Sequence, residues 1–166
     1  MKVLLLNGSP RKNGCTYTAL NVVADALKAE GIDAEVFQAG DPDMENVKAA
    51  AAKLKDSDAL VVGSPVYWAS PSGQIIEFMD RLASVAGKDM LYKPAAAVAS
   101  ARRAGTTATL DVLTKYFSYH QMPVVSSCYW NMVHGNTPEE VMKDEEGVQI
   151  MRVLGKNMAW LLKCIE

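Results

Sequence analysis

Cysteine, histidine and aromatic residues are scarce in this sequence, and each shortage closes a class of explanation. The three cysteines, Cys15, Cys128 and Cys164, are odd in number and far apart. They fit neither a disulfide framework nor a CxxC-type metal site, so free thiols and no metal are expected. No apolar run approaches the roughly 18 residues that a membrane helix needs. The start of the chain reads as a strand from Lys2 rather than the apolar region of a signal peptide, so a cytoplasmic protein with no membrane partner is expected. Neither sign of charge dominates: the formal net charge is -2, and no basic tail offers a footprint for nucleic acid.

What remains is an apolar chain of one-domain size. With 49% hydrophobic residues in 166, one domain over residues 1–166 would bury about two-thirds of its unfolded surface. Short apolar runs alternate with longer segments of helical period. The strand candidates are Val3 to Asn7, Ala34 to Gln38, Ala59 to Gly63, Ala95 to Ser100 and Pro123 to Ser127. Most are continuously apolar, as strands covered on both faces must be. The spacing predicts helices over Thr16 to Glu30, Met44 to Lys55, Pro71 to Ala86, Thr106 to Tyr119 and Pro138 to Ile165. In the third, Ser70 is the expected cap, Pro71 suits the first turn, and Ile75, Phe78, Met79 and Leu82 form one apolar stripe. Glu139, Glu140, Asp144, Glu145 and Glu146 read as the solvated acidic start of the last helix. An α/β, doubly wound, three-layer fold follows, with five parallel strands in the order 2-1-3-4-5. Ligands of such a sheet sit beyond the carboxyl ends of its strands.

Three loops meet at that edge. The first, "NGSPRKNGCT", places Gly8 and Gly14 beside Ser9, Arg11, Lys12, Asn13, Cys15 and Thr16 at the start of a helix. Unpaired helix amides and fixed positive charge suit a phosphate. Five residues separate Gly8 from Gly14 and no Lys follows the second, so this is not a Walker A loop, and no GxGxxG is present. The second loop, "GSPVYWASPSG", carries Tyr67 and Trp68, which either flank a planar ring or form a subunit contact. The third, "VASARRAGTT", offers Ser100, Ala101, Arg102, Arg103 and Gly105, the arginines meeting a second phosphate or solvent. A phosphate nest with aromatic and small-residue loops describes a mononucleotide site with a flat base, and FMN is the natural ligand. Trp130 and His134, after the fifth strand, are candidates for the catalytic edge, His134 as a proton donor.

"NGSPRKNGCT" followed by "GSPVYWASPSGQIIEFMDRL" resembles the NADPH-dependent FMN reductase and multimeric flavodoxin-like family, near the flavoprotein part of the iron-sulfur flavoproteins. The resemblance runs from Lys2 to about His134. It implies a flavodoxin-like fold and FMN held at its phosphate by Ser9, Arg11, Asn13, Gly14, Cys15 and Thr16. It further implies Pro65, Val66, Tyr67 and Trp68 along the isoalloxazine, and Ser100 to Gly105 over its pyrimidine side. The implied activity is a ping-pong hydride mechanism in which NADPH or NADH reduces FMN and a small acceptor reoxidises it: a quinone, a nitro or azo compound, free flavin or an iron chelate. A homodimer or homotetramer is also implied. Two departures stand out. Residues 31–52 contain no cysteine, which excludes the family's cluster there, and Cys15 occupies a position where the resemblance implies Asn or Ser in many relatives. An electron shuttle or a redox sensor served by a protein partner is the alternative; the near-balanced charge and the arginines around the site favour the enzyme.

Overall fold

The computed structural model describes residues 1–166. Strand β1 (Lys2–Asn7) leads into helix α1 (Cys15–Ala29), then β2 (Asp33–Gln38), α2 (Met44–Lys55) and β3 (Ala59–Tyr67). A short β4 (Ser70–Pro71), α3 (Gly73–Met90), β5 (Ala95–Ala101) and α4 (Thr106–Tyr119) come next. The chain closes with β6 (Met132–His134), α5 (Pro138–Lys143) and α6 (Glu145–Ile165). The sheet runs β2-β1-β3-β5-β6 with every main pairing parallel, the expected 2-1-3-4-5 order, and β4 folds back on β3 as an antiparallel hairpin.

Continuous apolarity in the central strands has its cause in burial on both faces. In β1, Val3 and Leu5 point into a core shared with α1 and α6, while Leu4 and Leu6 point into a second core under α2, α3 and α4. All four are fully buried. Each contributes about 2 kcal/mol by leaving water, so the two cores together hold the layers.

Three expected elements differ. The fifth strand is not Pro123 to Ser127. Of that segment, only Val124 bridges Ala95, and the ladder resumes at Met132–His134 against Ala99–Ala101. Between them the chain bulges outward, and the Asn131 side chain fills the gap: its amide donates to the Ala97 carbonyl at 3.0 Å and its oxygen accepts from Ser127 Oγ at 2.7 Å. An edge strand tolerates such an insertion because only one side of its ladder is used. The third helix begins at Gly73, capped by Ser72, whose Oγ accepts from the Ile75 amide at 3.3 Å. Pro71 lies in the hairpin opposite Val66, where its missing N–H costs nothing. The last helix is two. Asp144 breaks it with φ -75° and ψ 79° and caps α6 through the Gly147 amide at 3.0 Å.

Candidate functional site

The loops after β1, β3 and β5 converge at the carboxyl edge of the sheet, as the topology requires. They enclose a cleft of about 210 Å³ lined by Ser9, Arg11, Cys15, Thr16, Pro65, Val66, Tyr67, Ser100, Ala101 and Arg102, with Gly135 and Asn136 closing a fourth side. Two larger grooves, of about 660 and 760 Å³, lie between α3 and α4 around Tyr119 and His120. The smaller cleft is the chemically distinctive one, because only there do unpaired helix amides, arginines and aromatic loops meet.

Helix capping marks the cleft. Side chains of Asp43, Ser72, Thr137 and Asp144 cap α2, α3, α5 and α6. Helices α1 and α4 start at Gly14 and Gly105 with no side-chain cap. In α1 the first bonded amide is that of Thr18, which reaches the Gly14 carbonyl at 3.0 Å, leaving the amides of Cys15, Thr16 and Tyr17 without an acceptor in the chain. Such a terminus, with Arg11 beside it, is made to receive an anion.

The first loop is held by residues around it. Gly8 donates to the Gly63 carbonyl at 2.8 Å and accepts from Ser72 Oγ at 2.8 Å. A Cβ on Gly8 would lie 2.6 Å from Ile75 Cβ, so glycine is required for this close approach. Ser9 Oγ accepts from the Arg11 amide at 3.1 Å. Across the floor of the cleft, the buried hydroxyls of Thr16 and Ser100 are 2.7 Å apart and join α1 to the end of β5. Cys15 is half-buried, its Sγ 3.6 Å from the Gly135 carbonyl. Burial pushes this thiol's pKa up; Glu140 and Glu139 add to the rise, while its own backbone amide and Arg11 oppose it.

Other expected site residues do not line the cleft itself, although Asn13, Gly14, Trp68, Arg103 and Gly105 belong to the loops that enclose it. Gly14 is the α1 cap position, and Asn13 precedes it on the exposed loop. Gly105, at φ 104°, allows α4 to start hard against the hairpin: a Cβ there would come within 2.8 Å of Ala69 Cα. Arg103 is exposed. Trp68 and Ala69 form the two-residue hairpin tip between Tyr67 and Ser70, both left-handed at φ 53° and 56°. That conformation suits Gly or Asn and is strained for other residues. The Trp68 side chain is fully exposed. Trp130 packs edge-on against Tyr129, at 4.8 Å between ring centroids, on the bulge outside the sheet edge. His134 is exposed; its backbone amide donates to Asp144 Oδ2 at 2.7 Å, and its Nδ1 lies 3.9 Å from the same carboxylate.

Four residues at the site escape a motif reading: Asn7 and Gln38 behind the first loop, and Gly135 and Asn136 on the fourth wall. For the last two the turn-prone "HGNT" after β6 was the available signal. For the first two, the signal was a polar side chain at the end of an otherwise apolar buried strand.

An iron-sulfur flavoprotein of Methanocaldococcus jannaschii is 29% identical, with the alignment covering 100% of both chains. An NADPH azoreductase of Bacillus sp. strain OY1-2 is 30% identical over 61% of this chain and 59% of its own. Among solved structures, a WrbA-like flavodoxin from Agrobacterium tumefaciens superposes with a TM-score of 0.77 at 18% identity, covering 99% of this chain and 98% of that one. A structure described as flavone reductase gives 0.81 at 16% identity, covering 99% and 64%. These last two show the flavodoxin-like fold. The profile of the NADPH-dependent FMN reductase family matches residues 1–137, and the chain therefore belongs to that family of flavin-dependent oxidoreductases, with FMN as cofactor and NADPH as donor.

Proposed function

We propose that this protein takes electrons from NADPH or NADH through FMN and delivers them to a small acceptor by a ping-pong reaction. A quinone, a nitro or azo compound, free flavin or an iron chelate would serve. The observation that carries the reading is the uncapped start of α1 beside Arg11, opening on a cleft whose other walls are the hairpin segment Pro65 to Tyr67, the end of β5 at Ser100 to Arg102, and Gly135 with Asn136. When bound, FMN supplies a centre that accepts two electrons at once and releases them to a second substrate. A cleft of about 210 Å³ is smaller than the roughly 300–1,000 Å³ that encloses a drug-sized ligand. It therefore takes the phosphate and sugar chain, with the flat ring reaching over the rim where donor and acceptor approach in turn.

The amides of Cys15 and Thr16, with Ser9, Asn13, Gly14 and the Arg11 guanidinium, hold the phosphate. Pro65, Val66 and Tyr67 form the wall for the ring. Ser100, Ala101 and Gly105 bring backbone groups to its polar edge, where Arg102 and Arg103 stabilise negative charge that accumulates on reduction. Trp68, on the hairpin tip, meets the incoming planar ring. His134, beside Gly135 at the rim, is the available proton source for the reduced acceptor, and Trp130 suits a contact between copies in a homodimer or homotetramer.

The test is FMN titration of the wild type and of Arg11→Ala, followed by flavin fluorescence. Loss of one charge-assisted contact, worth about 1.5–3 kcal/mol, weakens binding roughly 10- to 150-fold. Equal affinity in the two proteins would remove Arg11 from the phosphate site.

A further inference from the structure

Beyond the bond from the Arg11 amide to Ser9 Oγ, the phosphate loop is held from outside itself. Behind it, on the side away from the cleft, two amide side chains at the ends of adjacent strands bind its backbone. Asn7 closes β1 and is fully buried. Its Oδ1 accepts from the Ser9 amide at 3.2 Å, and its Nδ2 donates to the carbonyls of Lys12 at 3.2 Å and Arg11 at 3.4 Å and to Gln38 Oε1 at 2.7 Å. Gln38 closes β2, directly opposite Asn7 in the ladder. Its Nε2 donates to the Ser9 carbonyl at 2.6 Å, so one side chain orients Asn7 and anchors the loop at once. A Cβ on Gly40 would overlap the Ser9 carbonyl oxygen, so the chain after β2 presses against the same peptide. The backbone of Ser9, Arg11 and Lys12 is thus bonded on the far side of the loop, and the unpaired amides of Cys15, Thr16 and Tyr17 are left for the cleft.

We propose that Gln38 is the positioning residue that makes this site prefer FMN over riboflavin, because it holds the loop after β1 in the conformation that receives a phosphate. Gln38 does not line the cleft and acts through Asn7 and Ser9. The inference rests on the FMN reading above. A loop fixed before the ligand arrives avoids an ordering cost on binding. Because only the phosphate meets that loop, the advantage falls on FMN and not on the dephosphorylated flavin.

The experiment measures the dissociation constants of FMN and of riboflavin for wild type, Gln38→Leu and Gln38→Glu, with the melting temperature of each apo protein as a check on folding. In Gln38→Leu, FMN affinity falls about tenfold while riboflavin affinity stays within about twofold. Gln38→Glu at neutral pH behaves the same way, since a carboxylate cannot donate to the Ser9 carbonyl. Below about pH 4.5, where a glutamate carboxyl becomes mostly neutral, it regains FMN affinity relative to wild type at the same pH, because a protonated carboxyl restores one donor and one acceptor. A purely structural role would weaken both flavins together. Wild type that prefers FMN, with Gln38→Leu keeping the same preference, overturns the inference alone. Wild type that binds neither flavin overturns the FMN reading and this inference with it.

Discussion

Replacing Asn131 with Ala isolates the side chain that substitutes for a strand. Its amide is the donor to the Ala97 carbonyl, in a fully or nearly fully buried stretch of β5, and its oxygen is an acceptor for Ser127 Oγ. Truncation leaves the Ala97 carbonyl without that donor, a loss of about 1–3 kcal/mol. Ser127 retains the Tyr129 carbonyl at 2.7 Å, so its share is small, about 0.5 kcal/mol. The total is roughly 1.5–3.5 kcal/mol, and at about 2–4 °C per kcal/mol for a chain of this size the melting temperature drops by about 3–14 °C. Far-UV circular dichroism of the apo protein measures it. The flavin cleft is built by other residues, so FMN affinity stays within about threefold. A shift under about 1 °C would refute the account of the edge strand; loss of FMN binding at full folding would refute the separation of edge from cleft.

Further outcomes follow from the same geometry. Trp68→Asn relieves a left-handed strain and sacrifices no buried surface, so the apo protein melts about 2–4 °C higher; with azo or quinone acceptors KM rises several-fold, and a lower melting temperature would mean that the indole packs on the protein. Cys128 and Cys164 are exposed and react with a thiol reagent at pH 7.5 before Cys15, whose raised pKa and burial slow it; saturating FMN slows Cys15 further, and equal rates at all three would contradict its placement. Glu35 has its carboxyl held below the usual range, first by a hydrogen bond from Lys2 at 2.8 Å and then by Lys53 at 2.5 Å. A depressed carboxylate stabilises the fold above its unfolded pKa and loses that contribution as pH falls through the folded value. Glu35→Gln therefore lowers the urea midpoint at pH 7 by an amount equivalent to about 0.5 kcal/mol, a small figure because the pair is partly exposed. The difference vanishes at strongly acid pH; a difference that persists there would refute the ion-pair origin.

The parts of the fold visible in the sequence are those where local pattern and burial agree. Central strands are apolar where helices cover both faces, as at Ala59–Val62 of β3, and α2 has the same limits in sequence and structure. Pattern failed where a side chain overrides it. Pro123 to Ser127 has strand-like residues, yet Asn131 holds the edge open, and no periodicity encodes a side-chain amide standing in for a peptide. Asp144 splits the last helix by capping the second half, within a run otherwise of continuous helical spacing. In the site, the three loops were legible because glycine and polar clusters follow apolar strands. The support behind them was not, because Asn7 and Gln38 act across β1 and β2, 31 residues apart in sequence.

Reduction by NADPH of FMN bound in this cleft is the step on which the proposed activity depends. The direct test is anaerobic stopped-flow mixing of the FMN-loaded protein with NADPH and, separately, NADH, followed at the flavin band near about 450 nm. The expected result is bleaching by a nicotinamide within the turnover time and recovery of the band when an azo compound or quinone is added. Bound flavin that stays oxidised with both donors would contradict it and point to an electron shuttle or sensor reduced by a protein partner.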